Sequence, residues 1–296
     1  MITNEQIPSF YDWLSRYVQL SNWLAYRDRF AAFTMHKSLA VPGARDGERA
    51  ALRAGLEYAN ERMLDLAFEA GLPAAPRVLD AGCGFGGTMF AWYRRAGGRY
   101  DGLTLSEVQV RVAEREARRR GLADACSFHV RSYDEPIEPV YDAVVAIESL
   151  LHAADLGRSV RNLARVLRSG GLLLVLDDMA TADLDLARPA DAALVRVHWG
   201  CPVYPTREDF RAAIDGAGLT PVTEEDLSPL MRVRSEAFLD REERVLAVAH
   251  RAIPLTPVRT VVSAFLGGVA LERLHGSGNV EYRILVARND GATGKH

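Results

Sequence analysis

Residues 78–87 read Val78-Leu79-Asp80-Ala81-Gly82-Cys83-Gly84-Phe85-Gly86-Gly87, an acid followed at once by clustered glycines. Glycine lets the main chain approach a ligand closely and adopt conformations denied to other residues. An acid beside such a turn faces a positively charged or hydroxylated group. The spacing of Gly82, Gly84, Gly86 and Gly87 is not that of the GxGxxG turn that binds nicotinamide dinucleotides. No Lys-Ser or Lys-Thr pair follows it, which excludes a Walker A loop. Asp80 suits an ammonium better than a pyrophosphate. A tight strand-to-helix turn with no ligand is the remaining alternative. Further along, Thr104 to Gln109, Arg131-Ser132-Tyr133 and the pair Glu148 and His152 carry groups able to hydrogen-bond a ligand or move a proton.

These residues need a frame that presents them along one edge. From Arg77 onward strands and helices alternate: a strand Arg77–Asp80, a helix from about Thr88 to Arg95, and a strand Tyr100–Leu105. Ser106 follows as the N-cap of a helix to Arg120. Strands are predicted at Ser127–Val130 and Tyr141–Ile147, the latter apolar enough for the middle of a sheet. A helix Gly157–Leu167 ends at Ser169-Gly170-Gly171 and leads to a fifth strand, Leu172–Leu176. Thr206 caps a helix to Ala217, with Glu208 and Asp209 in its first turn. A strand near Thr220–Thr223, helical material over Ser228–Gly268 broken at Pro254 and Pro257, and a last strand Val280–Ala287 complete the pattern.

This alternation predicts an α/β fold, a doubly wound, mostly parallel, Rossmann-like sheet of seven strands. Right-handed crossovers put the strand C-termini at one edge, where ligands bind in such sheets. Ahead of it, aromatic and aliphatic residues from Tyr11 to Tyr26 suit a helix with one buried face, and a second helix spans Glu48–Ala70. The predicted organisation is a helical lid over 1–75, a ligand-binding core over 76–180, and the rest of the sheet with helical cap insertions over 181–296.

Composition excludes other classes. A net charge of −3 gives no pull toward nucleic acid or anionic membrane. No apolar run reaches the roughly 18 residues of a membrane span. Cys83, Cys126 and Cys201 have neither disulfide nor zinc spacing and read as reduced thiols. With no secretory signal visible at Met1–Pro8, the expectation is a cytoplasmic enzyme, compatible with a homodimer. Basic residues are almost all arginine; Lys37 and Lys295 are the only lysines, and Lys37 is the only internal one.

Val78–Gly87 resembles the first motif of the class I S-adenosylmethionine-dependent methyltransferases. The resemblance implies that Asp80, Gly82 and Gly84 contact the methionine part of the cofactor. Gly102-Leu103-Thr104-Leu105-Ser106-Glu107-Val108-Gln109 lacks the acid usual at the second strand's end. It resembles instead the variant found among cyclopropane-synthase, sterol and small-molecule methyltransferases. There Thr104 and Gln109 would hold the ribose hydroxyls and Leu105 would pack on the adenine, unless Thr104 and Gln109 are strand-end and helix-surface filler. Ser132 and Tyr133 come to the adenine edge, with Asp134 as a neighbouring candidate. The product would be S-adenosylhomocysteine.

Ile147-Glu148-Ser149-Leu150-Leu151-His152-Ala153 is similar to a segment of sterol C-methyltransferases. That likeness implies carbon methylation of an isoprenoid or prenyl diphosphate alkene through a carbocation, with Glu148 and then His152 as stabiliser or base. A structural carboxylate and a hydrogen-bonded histidine are the alternatives, and N- or O-methylation of a specialised metabolite is the rival activity. A non-catalytic binding subunit is disfavoured by the intact turn. For the small-molecule acceptor, Tyr11, Tyr26, His36, Lys37, His198, Trp199 and Tyr204 are candidate contacts. His36 and Lys37, with Arg27 and Arg29, form either a diphosphate clamp or a solvated basic face. No protein-held metal is expected, although Mg²⁺ would suit a diphosphate acceptor.

Overall fold

The computed structural model describes residues 33–43, 47–138, 140–199, 201 and 204–291. Its strands are β1 (Arg77–Ala81), β2 (Arg99–Thr104), β3 (Cys126–Val130), β4 (Tyr141–Ile147), β5 (Leu167–Ala180), β6 (Thr220–Asp226) and β7 (Val280–Arg288). They form one sheet in the order β3-β2-β1-β4-β5-β7-β6. Strands β1 to β5 pair in parallel, and β7 runs antiparallel to both β5 and β6. The order reverses between β1 and β4, so the crevice above their C-terminal ends is where a ligand site forms.

The helices are α1 (Glu48–Glu69), α2 (Gly87–Ala96), α3 (Glu107–Arg120), α4 (Leu156–Ala164), α5 (Leu184–Ala187), α6 (Pro189–His198), α7 (Arg207–Gly216), α8 (Glu236–Ala252) and α9 (Thr256–Gly276). The central strands are apolar on both sides because both faces are covered. Val145 and Leu174 face Met63, Phe90 and Trp92 from α1 and α2. Val144 and Leu173 face Leu163 and Phe210 from α4 and α7. A third cluster joins α6 to α9 through Ala192, Val195, Ala270, Leu271 and Leu274. Two helix starts form as their sequences dictate: Ser106 accepts from the Gln109 N–H, and Thr206 and Asp209 make a reciprocal capping box.

Four expectations are corrected. Helix α4 stops at Ala164, and Ser169-Gly170-Gly171 lies inside β5, where the register against β4 shifts and Gly170 and Gly171 bond to Asn289. Strand β5 continues through Asp177 and Asp178 to Ala180, because β7 pairs with it along that whole length. Pro257 sits in the first turn of α9, where the missing N–H is not needed; the break is at 253–255. Helix α1 is a layer of the core and not a cover for the crevice: Leu56, Ala59, Asn60, Met63, Leu64 and Ala67 form its buried stripe. Residues 1–32, including Tyr11, Tyr26, Arg27 and Arg29, lie outside the described residues. No helix among the described residues is long and apolar enough to cross a membrane.

Candidate active site

A cavity of about 500 Å³ opens above the C-terminal ends of β1, β2 and β4. The paired register brings Asp80 beside Gly102 and Val145, so Asp80, Thr104 and Glu148 all emerge at this edge. Asp80 is only 3% exposed, and no donor among the described residues reaches its carboxylate. Burial alone pushes its pKa up to about 7. An unpaired buried acid of this kind is completed by a cationic ligand group.

The turn that follows has to be glycine where it meets the opposite wall. Gly82 has φ +115°, and a Cβ there would stand 2.5 Å from the Ser149 Cβ. The Ser149 hydroxyl is buried with no hydrogen-bond partner among the described residues. An acid without a cation, a hydroxyl without a partner and a backbone stripped of side chains fit the methionine end of S-adenosylmethionine.

At the next strand end, the Thr104 hydroxyl donates to the Gln109 side-chain oxygen, and the Ser106 N–H donates to Thr104. Leu105 is half-exposed beside them, and all three of Thr104, Leu105 and Gln109 line the cavity. Ser132, Tyr133 and Asp134 line its far end. The Tyr133 hydroxyl donates to the Ser149 carbonyl at 3.0 Å, which ties the two ends together. Asp134 accepts from the Ser159 hydroxyl and the Ser132 hydroxyl accepts from the Asp134 N–H, so this loop is fixed by its own side chains.

Glu148 stands on the cavity wall in a left-handed conformation, φ +48°, that a non-glycine residue adopts only under constraint. Its Oε1 accepts from the Lys37 N–H at 2.9 Å and from the Tyr282 hydroxyl at 2.8 Å, and lies 3.2 Å from the Lys37 Nζ. That ammonium also donates to Asp178 at 2.7 Å, and His275 from α9 lies 2.9 Å from the second Asp178 oxygen. Burial works to raise the Asp178 pKa, but the Lys37 and His275 charges outweigh it and hold it at about 2. Burial also opposes the Lys37 ammonium, and the two carboxylates overcome it and push its pKa up. Next door, burial and the Asp178 charge raise Asp177 to about 8. Its oxygens accept from the N–H groups of Leu151 and Asp178.

The remaining acceptor candidates divide. His152 and Trp199 line the cavity, with His152 Nδ1 3.8 Å from the Cys201 sulfur. His36 lines it too, but the Lys37 carbonyl and the Asn60 side chain hold its two nitrogens, and burial lowers its pKa. Lys37 faces the acids behind the wall, which removes its amine from a diphosphate clamp. His198 is not at the cavity: it bonds Ser263 of α9 at 2.7 Å and packs on the His250 ring. Tyr204 lies behind the wall near the acid cluster, its buried hydroxyl without a partner among the described residues. Asp177, Asp178, Tyr282 and His275 are absent from the sequence-based candidates. The signal for two of them was two acids abutting an apolar strand, the arrangement that had singled out Glu148. Among the described residues, no group of three or more His, Cys, Asp and Glu side chains could hold a metal ion.

Residues 79–175 match a family model described as a methyltransferase domain. The chain is 32% identical over 196 residues to methyltransferase GfsG of Streptomyces halstedii, spanning 62% of this chain and 67% of that protein. It is 34% identical over 183 residues to the 27-O-demethylrifamycin SV methyltransferase of Amycolatopsis mediterranei, spanning 60% and 67%. Among solved structures it resembles the geranyl diphosphate C-methyltransferase of Streptomyces coelicolor A3(2), crystallised with Mg²⁺, geranyl-S-thiolodiphosphate and S-adenosylhomocysteine. The TM-score is 0.68 at 20% identity, covering 95% of this chain and 98% of that one.

Proposed function

The chain belongs to the class I S-adenosylmethionine-dependent methyltransferases, and from that premise we propose that it methylates a hydroxyl group of a neutral small-molecule acceptor in the cytoplasm, with His152 as the base. Bound S-adenosylmethionine supplies an electrophilic methyl group on a sulfonium centre. Asp80 and Ser149 hold the methionine end, Thr104 and Gln109 open their mutual bond to take the ribose hydroxyls, and Leu105, Ser132 and Tyr133 surround the adenine. His152 would take the proton of the acceptor hydroxyl, whose oxygen would receive the methyl group as the methyl–sulfur bond breaks and S-adenosylhomocysteine leaves, and Trp199 closes the wall against water.

The observation that carries this reading is the commitment of Lys37 and Glu148 to each other and to Asp178 and Tyr282. His36 is held at both nitrogens and Asp134 by Ser159. His152 lines the cavity together with Trp199 and carries an imidazole, a side chain suited to general-base work. The same commitment takes the Lys37 ammonium away from a diphosphate. Arg131, the remaining cationic side chain among the described lining residues, sits at the adenine end 3.6 Å from Glu135. The likeness to the 27-O-demethylrifamycin SV methyltransferase points the same way.

A second reading keeps the carbon acceptor. Glu148 presents its carboxyl group on the wall, where stabilisation of a carbocation from an isoprenoid alkene would require one. Methyl-labelled cofactor decides between the two. We expect label in hydroxyl-bearing acceptors such as 27-O-demethylrifamycin SV, a kcat loss of roughly 10²- to 10⁴-fold in His152→Gln, and unchanged S-adenosylhomocysteine affinity in that variant. Label found only in geranyl diphosphate, with Glu148→Gln inactive and His152→Gln active, replaces the first reading by the second.

A further inference from the structure

We propose that Lys37 is a positioning residue: it latches residues 33–37 across the cofactor cavity through Glu148 and Asp178, is fastened from behind by His275, and so sets how long S-adenosylmethionine and S-adenosylhomocysteine stay bound. The inference rests on the cofactor and not on the acceptor, so a failed acceptor assay leaves it standing.

Phe33, Thr34, Met35 and His36 form one wall of the cavity. They belong to no strand and to no α-helix among the described residues. The strap lies close on the start of α2: a Cβ on Gly87 would stand 2.4 Å from the Phe33 carbonyl oxygen. On the cofactor side it touches the ribose-binding residues, with the Gln109 amide 3.5 Å from the Met35 sulfur. Lys37 fastens it to the sheet, main-chain N–H to Glu148 and ammonium to both carboxylates, beside the His36 bond to Asn60, the Phe33 ring against Phe85 and Phe90, and the Ala40 N–H to the Leu230 carbonyl.

The charge arrangement makes this latch two-sided. One ammonium sits between two carboxylates, 3.2 Å from Glu148 and 2.7 Å from Asp178. Without it, Glu148 and Asp178 face each other with no cation between strap and sheet, and the strap loses the attraction that seats it. Asp178 is fully buried, and its other oxygen is held by His275, whose side chain is 2% exposed. The second ring nitrogen of His275 is buried with no partner among the described residues, so its one bond to Asp178 fixes the ring. Helix α9 also carries Gly267, where a Cβ would stand 3.1 Å from the Trp199 Cβ at the acceptor wall. One helix thus touches the latch and the acceptor side, the physical connection through which occupancy of one is felt by the other.

Stopped-flow displacement of S-adenosylhomocysteine, read beside the melting temperature, tests the latch. In Lys37→Met we expect dissociation faster by roughly tenfold or more, the change that matches losing a charge-assisted hydrogen bond, with Lys37→Arg recovering most of the residence time. His275→Gln touches no part of the cofactor cavity and should still speed release severalfold. A merely structural role lowers the melting temperature of these variants and leaves dissociation at the wild-type rate, and that result overturns the proposal. If Lys37→Met does not fold, the near-isosteric Asp178→Asn takes its place. Faster release there supports the latch, and wild-type release overturns it.

Discussion

Asp80 and Asp178 end up in opposite chemical states at the same edge of one sheet. Both are aspartates, both are buried, and both lie in parallel strands of the apolar centre. Asp80 has no cation beside it among the described residues, and burial carries its pKa up to about 7. Asp178 is held at about 2 because Lys37 and His275 outweigh the same burial. The first carboxylate is incomplete without a ligand and the second is complete without one. The difference separates the half of the crevice that recognises a molecule from the half that holds the protein together around it.

The sharpest way to break the comparison is to truncate each acid and read two quantities. Asp80→Ala should weaken S-adenosylhomocysteine binding by roughly hundredfold or more in calorimetry, because it removes one side of a desolvated charge pair, and should not lower stability. Asp178→Ala should do the reverse in denaturant unfolding, with a loss of about 3 kcal/mol as the buried acid shared by Lys37 and His275 is removed and Glu148 alone is left to pair the ammonium. Equal stability losses in both variants would show that the two acids play one structural role.

A smaller effect sharpens the same contrast through protons. Asp80 is partly protonated in the free protein near neutral pH and must ionise to meet an ammonium. Binding therefore releases up to one proton, and affinity rises with pH from about 5 toward 7. The heat of binding should depend on the buffer, and Asp80→Asn should abolish that dependence. Asp178 has the opposite sign: it contributes stability present above the ordinary carboxylate pKa and lost as the pH falls toward 2. The smallest expected change is Ser149→Ala, which should weaken S-adenosylhomocysteine severalfold if its unpartnered hydroxyl meets the ligand.

The sequence by itself determined everything governed by neighbours along the chain. Asp80 and the glycines after it form a tight strand-to-helix turn, because the acid, the φ +115° turn at Gly82 and the strand before them are local properties. The same holds for the Ser106 and Thr206 caps and for the apolar runs of β4 and β5. Tertiary structure alone decided what Glu148 is for. Its partners come from 111 and 134 residues away, at Lys37 and Tyr282, and no spacing announces them. It also moved His198 off the cavity by seating it on Ser263 and made His36 a neutral link between Asn60 and the strap. A side chain's charge state and availability depend on the groups packed around it in space, and those groups are chosen by the fold.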